Sequence, residues 1–232
     1  MLQAISFDLD DTLWHTAKTI DHAEKVFQQW LLQHLPELGS LPRERLMEVR
    51  RATLQRAPHL AHQISELRRQ VITHLLENTG HHPRRARRLS RHAFDVFLRA
   101  RHHVFPFEGV EAALAHLQKA YTLGAITNGN ANVYLTPLAC YFDFAISAEK
   151  VGQNKPGPRP FEAALLHAGC DAAQMLHIGD HPEHDITGAR ALGMPVLWYN
   201  PQQLRWEGDG EAPRQFSHFD QLPALVREID NP

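Results

Sequence analysis

The chain reads as an α/β protein built on a Rossmann-like, doubly wound parallel sheet, with a helical domain inserted after the first strand. Three observations lead there. Five short apolar runs each stop at polar or turn residues, helical periodicity fills the gaps between them, and residues 15–104 break this rhythm with amphipathic stripes and no convincing strand.

The strands come first. Leu2 to Phe7 runs into Asp8, Leu123 to Ile126 into Thr127, Phe142 to Ile146 into Ser147, and Met175 to Ile178 into Gly179-Asp180; Val196 to Tyr199 is the fifth. Apolar runs this short, bounded by turn residues, suit parallel strands buried on both faces. Between them, Val110 to Ala120, Phe161 to Ala168 and Ile186 to Leu192 carry apolar residues three and four apart, with Gly169 and Gly193 as stop signals. Residues 200–215, with Pro201, Gly208, Gly210 and Pro213, read as a loop, and Leu222 to Ile229 as a last helix.

The insert reads as four helices. Its stripes are Ile20, Ala23, Val26, Phe27, Trp30 and Leu31; then Leu46, Val49, Ala52 and Leu54; then Leu67, Val71 and Leu75; then Ala93, Phe94, Phe97 and Leu98. Pro36, Pro42, Pro58 and Pro83 fall between stripes, where proline is tolerated. The expected organisation is a core of 1–14 and 105–232 around a helical domain of 15–104.

Composition narrows the class. A chain of 232 residues with 43% hydrophobic and 22% charged residues is globular in character. Its net charge of −2 conceals a division: residues 15–104 hold 16 Lys/Arg against 8 Asp/Glu, and the remainder holds 8 against 18. No run of about 18 apolar residues offers a membrane span. Acidic residues at Asp8, Asp10 and Asp11 come too early for a signal peptide, and Cys140 and Cys170 match neither a CxxC pair nor a zinc spacing. The expectation is a cytoplasmic protein with two ordinary thiols and no membrane partner.

In an open α/β sheet, ligands bind beyond the carboxyl ends of the strands. Those ends carry Asp8-Leu9-Asp10-Asp11-Thr12, Thr127-Asn128-Gly129 and Gly179-Asp180, with Asp185 five positions later and Lys155-Pro156 before the helix into the fourth strand. Carboxylates converging at one edge repel one another unless a cation sits among them. Oxygen ligands without a Cys/His cluster favour Mg²⁺ over zinc. A divalent ion with Lys155 would neutralise phosphoryl oxygens, Thr127 and Asn128 would add neutral hydrogen bonds, one carboxylate would attack phosphorus, and a second would move the proton of the leaving oxygen.

At these residues the chain resembles the haloacid dehalogenase superfamily. Asp8-Leu9-Asp10-Asp11-Thr12 matches its DxDxT motif, Thr127-Asn128-Gly129 its threonine motif, Lys155-Pro156 its lysine motif, and Gly179-Asp180 through Asp185 its GDxxxxD motif, in the expected order. The resemblance implies Asp8 as nucleophile and Asp10 as general acid and base. It implies Thr127 and Lys155 on the phosphate, and Asp8, the Asp10 backbone carbonyl and Asp180 on Mg²⁺. Thr12 and Asp185 would support them from behind, Asp185 orienting either the metal shell or Lys155. The insert is similar to the family's all-helical cap, expected to close during the first step and to select the leaving group. Dehalogenases of the superfamily lack an aspartate at the Asp10 position, so Asp10 implies a phosphatase of small phosphorylated metabolites. Ala125 to Ala131 and Phe7 to Leu13 are most similar to bacterial enzymes acting on flavin mononucleotide and on the ribitylamino-uracil phosphate of riboflavin synthesis.

Other readings stay open. A nucleotidase, a sugar-phosphate phosphatase or a phosphomutase would use the same residues. The tract from His81 to His103, with seven arginines, five histidines and the single acid Asp95, reads as a solvated face or as a basic lid for anionic substrates. Nucleic-acid binding with vestigial activity is the minority reading, since no aromatics interleave the arginines. Trp14 is read as packing at the hinge ahead of stacking on a substrate, His181 and His184 as exposed loop residues ahead of ligands, and Asp185 as a helix cap or a support of the site. Asn130 and Asn132 either touch the leaving group or cap a turn, and Arg159 is read as a surface residue.

Overall fold

The computed structural model describes residues 1–39, 41 and 43–231, so Pro42, expected between the first two helices, lies outside the described residues. The chain divides into two compact units, one of residues 1–16 with 104 onward and one of 17–103. In order, the elements are β1 (Ala4–Phe7), α1 (Thr16–His34), α2 (Arg43–Arg56), α3 (Ile64–Asn78), α4 (Pro83–Arg101), α5 (Val110–Leu117), β2 (Thr122–Thr127), β3 (Phe144–Ser147) and α6 (Ala148–Val151). There follow α7 (Arg159–Ala168), β4 (Met175–Gly179), a π-helical turn Pro182–Thr187, α8 (Gly188–Arg190), β5 (Val196–Tyr199), β6 (Gln215–Phe216) and α9 (Leu222–Asp230).

The first unit carries a six-stranded sheet in the order β3-β2-β1-β4-β5-β6, with every pair parallel. β1 lies at the centre, in register with β2 from Ala4↔Thr122 to Phe7↔Ala125 and with β4 from Ala4↔Met175 to Phe7↔Ile178. The chain leaves β1 toward β2 and β3 and returns to β4 on the other side, so the order switches at β1, where such sheets place their ligands. Alternation along the strands separates two cores. Ile5, Phe7, Leu123, Ala125, Leu176 and Ile178 pack with Val110 and Leu114 of α5 and Leu222 and Val226 of α9. Ala4, Ile126 and Met175 face the other way, onto Phe161 and Ala164 of α7 and Ile186 and Ala189.

The second unit is helical throughout its regular structure. Thr19, Ala23, Phe27 and Leu31 line the buried face of α1, and Leu67, Val71, Ile72, Leu75 and Leu76 that of α3. Ala86, Ala93, Phe94 and Phe97 of α4 complete the same core. Arg68 closes it: its guanidinium lies 3.5 Å over the Phe97 ring and grips Glu24 at 2.7 and 2.8 Å. In α2 the expected stripe is only half-buried, and Thr53 is the side chain that reaches the interior. On the outer face of α4, Arg84, Arg85, Arg87, Arg88, Arg91 and Arg99 are exposed, whereas Arg101 is buried.

Several boundaries differ from expectation. Residues 200–215 are not loop to the end, because Gln215 pairs with Trp198 and, with Phe216, makes β6. The expected helix Ile186 to Leu192 is a π-helical turn followed by the short α8, and the helix begun at Val110 stops at Leu117. α6 was not anticipated; four residues carry too little periodicity to read. Cys140 and Cys170 are free thiols, and no helix among the described residues is long and apolar enough to cross a membrane.

Candidate active site

The ends of β1, β2 and β4 bring the sequence motifs together. The backbone N–H of Asp8 donates to the Ile178 carbonyl at 2.8 Å, so the nucleophile candidate is still pinned to the ladder as the strand ends. After it the chain turns sharply: Asp11 is left-handed (φ 59°), its N–H donates to the Trp14 carbonyl, and its carboxylate accepts the Thr16 N–H. Aspartate is among the few residues that tolerate this region.

This turn aims Asp10. Its Oδ1 accepts the Trp14 indole N–H at 2.8 Å and the Thr16 hydroxyl at 3.2 Å. Its Oδ2 lies against Gly129, where a Cβ would stand 2.4 Å away. Trp14 is fully buried, so it packs and orients Asp10 and offers no face to a substrate.

Lys155 forms the centre of the site. Its ammonium donates to Asp8 Oδ1 at 2.6 Å, to Asp185 Oδ1 at 2.6 Å and to the Ile126 carbonyl at 2.7 Å, which uses all three hydrogens. Its side chain is 2% exposed. Burial alone would discharge the amine, but Asp185 and Asp8 together hold it charged and raise it above its usual value. Asn128, expected to offer its amide to a phosphate, binds the backbone of Lys155, accepting its N–H at 2.7 Å and donating one of its two amide hydrogens to its carbonyl at 3.0 Å. Asn128 therefore positions Lys155. Thr127 Oγ1 accepts the Gly129 N–H at 2.9 Å, which leaves the hydroxyl hydrogen to donate.

Three carboxylates complete the cluster: Asp8, Asp180 and Asp185 each offer an oxygen within 4.8 Å of the others. Their environments push them apart. Burial raises Asp8 well above the usual carboxylate range, Lys155 opposes this, and the charges of Asp185 and Asp180 add to it. Burial first, and the charge of Asp185 second, raise Asp180 to about 7 although Thr12 donates to its Oδ1 at 2.9 Å. Burial would raise Asp185 too, but Lys155 and His177 reverse the effect and hold it well below the usual range. Both oxygens of Asp185 have partners, Oδ2 accepting the His181 N–H at 3.0 Å. Asp8 and Asp180, linked by the Thr12 hydroxyl at 3.4 and 2.9 Å, are thus the pair with oxygens to offer a cation. An all-oxygen donor set of this charge fits a hard divalent ion such as Mg²⁺.

Other candidates bring no side chain to the cluster, although the His181 backbone N–H holds Asp185. His181 Nδ1 accepts the N–H groups of Glu183 and His184, and the two imidazoles stack at 3.8 Å, so this pair caps the π-helical turn. Asn132 caps the turn at Tyr134, and Arg159 is exposed.

Besides Thr16 on Asp10, further contributors were not foreseen. Trp198 donates its indole N–H to the Asp180 carbonyl at 2.7 Å. His177, fully buried, bonds Ser6 Oγ at 2.9 Å and Asp185 Oδ1 at 3.3 Å. A histidine inside an otherwise apolar buried run is a visible signal, since a buried polar ring needs partners.

The whole chain has close relatives of known structure and sequence. A solved structure described as a 2-haloacid dehalogenase from Pseudomonas syringae pv. Tomato DC3000 is 44% identical, covers 98% of this chain and 99% of its own, and superposes with a TM-score of 0.93. The 5-amino-6-(5-phospho-D-ribitylamino)uracil phosphatase YigB of Escherichia coli (strain K12) is 29% identical over 201 residues, spanning 87% of this chain and 84% of that one. A glyceraldehyde 3-phosphate phosphatase of Pyrococcus abyssi is 26% identical over 238 residues, spanning 100% and 95%. Residues 2–193, which contain every motif gathered around Lys155, match the haloacid dehalogenase-like hydrolases, and the chain belongs to that family.

Proposed function

We propose that this protein hydrolyses phosphate monoesters of small metabolites, with Asp8 as nucleophile and Asp10 as acid and base. One observation carries the reading: a buried Asp8 held by Lys155 at 2.6 Å, with a second carboxylate two residues on, held separately by Trp14 and Thr16. Asp8 would form an oxygen–phosphorus bond as the ester oxygen leaves, and that oxygen would take its proton from Asp10. Asp10 would then take a proton from water as the water oxygen attacks the aspartyl-phosphate, freeing Asp8 and inorganic phosphate. Thr127 would donate its hydroxyl to the phosphoryl group and Lys155 would keep positive charge beside it. Mg²⁺, held by Asp8, Asp180 and the Asp10 carbonyl, would supply charge neutralisation at the phosphoryl oxygens.

Similarity to the ribitylamino-uracil phosphatase makes that ester and flavin mononucleotide the first substrates to try. The dehalogenase relative gives the second reading, halide displacement from a 2-haloacid. Asp10 separates the two, because a leaving alkoxide needs a proton and a leaving halide does not. With Mg²⁺, a panel of those two esters, sugar phosphates, nucleoside monophosphates and 2-chloropropionate is expected to release phosphate from esters and no chloride. Chloride release without phosphate would overturn the proposal.

Two further results are expected. Gly129→Ala should leave the fold intact but lower kcat about 10- to 100-fold, since its Cβ would stand 2.4 Å from Asp10 Oδ2 and 3.1 Å from Thr127 Oγ1. Steady-state kinetics beside a thermal melt check this. Asp180 titrates near 7, so below that pH a cation must displace its proton. Apparent Mg²⁺ affinity at pH 6 should be about tenfold weaker than at pH 8, and EDTA should abolish turnover. Calorimetry in buffers of different ionisation enthalpy would detect the released proton.

A further inference from the structure

Ser6 and His177 sit at the centre of the sheet. They are register partners on β1 and β4, both fully buried, and by strand alternation they face the core beneath α7, where the Phe161 ring meets the imidazole edge-on at 5.1 Å. Every neighbouring position in these two strands on that face is apolar, and an aliphatic pair would pack there without needing partners. The pair leads to the site. Burial holds the imidazole below its usual value, so the neutral ring carries one N–H. Ser6 Oγ lies 2.9 Å from Nδ1 and Asp185 Oδ1 lies 3.3 Å from Nε2. A carboxylate oxygen only accepts, so the hydrogen belongs on Nε2 and the Ser6 hydroxyl donates to Nδ1.

We infer that His177, set as the Nε2–H tautomer by the Asp185 carboxylate and supported at Nδ1 by the Ser6 hydroxyl, is a positioning residue for the hydrolysis. It fixes Asp185, which fixes the ammonium of Lys155 between Asp185 and Asp8. Gly179 gives this room, since any Cβ there would stand 2.3 Å from the Asp185 carboxyl carbon. His177 touches neither substrate nor reacting atoms; the chain Ser6, His177, Asp185, Lys155, Asp8 transmits orientation alone.

The inference rests on the phosphatase reading for its kinetic arm and not for its spectroscopic one. In ¹⁵N-labelled protein, the His177 ring is expected to show protonated Nε2 and unprotonated Nδ1, and Ser6→Ala to shift the Nδ1 resonance, which loses its donor, while Nε2 keeps its proton. His177→Leu should lower kcat on the best phosphate ester about 10- to 100-fold while KM moves less than about threefold. His177→Gln, whose amide N–H can reach Asp185, should recover most of the loss. A proton on Nδ1 in the parent, an undiminished kcat in the leucine variant, or glutamine no better than leucine would overturn the assignment. If the leucine variant does not fold, Ser6→Ala decides: lowered kcat with a shifted Nδ1 resonance supports the inference, and unchanged kcat overturns it. A parent inactive on every ester would sink the phosphatase reading, while the ring spectrum would still decide whether His177 orients Asp185.

Discussion

Asp8→Asn is expected to lower turnover of phosphate esters by at least about 10⁴-fold while the variant folds and melts no lower than the parent at pH 8. The amide keeps the shape of the carboxylate, so the backbone bond from Asp8 to Ile178 persists. It cannot form the covalent intermediate. Its effect on stability follows the direction of the Asp8 shift, with Asp185 remaining as the counter-ion of Lys155. Folding raises the Asp8 carboxyl above its unfolded value, chiefly by burial and despite Lys155. Ionising it in the fold therefore carries a cost that is absent below the unfolded value and complete above the folded one. Asparagine removes that cost. A side-by-side measurement of phosphate release and thermal melting at pH 8 would show the separation, and retained turnover would remove Asp8 from its assigned role.

Lys155→Met should damage both fold and activity. In the parent the ammonium serves two buried carboxylates and a carbonyl with three hydrogen bonds. Without it, the buried Asp8 and Asp185 face each other with no cation between them, and removing one partner of a buried pair costs about 3–5 kcal/mol. Lys155 holds Asp185 well below its ordinary value, so that stabilisation is fully present above the unfolded carboxyl range and is lost progressively as pH falls from there toward the depressed folded value. The deficit of the methionine variant against the parent should accordingly be larger at pH 7 than at pH 2.5, by urea titration. Arginine is not expected to rescue, because a planar guanidinium cannot place three donors around one compact point.

Much of this was legible in the sequence because it was local. The five apolar strands, the four insert helices and the acidic turn after β1 each declare themselves within a dozen residues. Non-local facts did not. The spacing of Thr127-Asn128-Gly129 indicated a ligand-facing loop, but not that Asn128 also braces the backbone of Lys155, 27 residues later. Met175 to Ile178 read as one apolar strand, so His177 passed as filler until the pairing of β4 with β1 placed it opposite Ser6. β6 escaped because two residues show no alternation, and the π-helical turn because the Ile186 to Leu192 pattern fits a continuous helix equally well.

The facing of Ser6 and His177 also bears on how the sheet assembles. If β4 docked on β1 one residue out of step, every side chain of one strand would change faces, and Ser6 would meet Leu176 or Ile178. Serine and histidine would then sit among hydrocarbon with no partner, a penalty of about 1–3 kcal/mol for each. Apolar side chains tolerate many alignments; this polar pair accepts one. The two residues thus act as matched teeth in a zip, favouring the aligned register over any that closes one residue out of step.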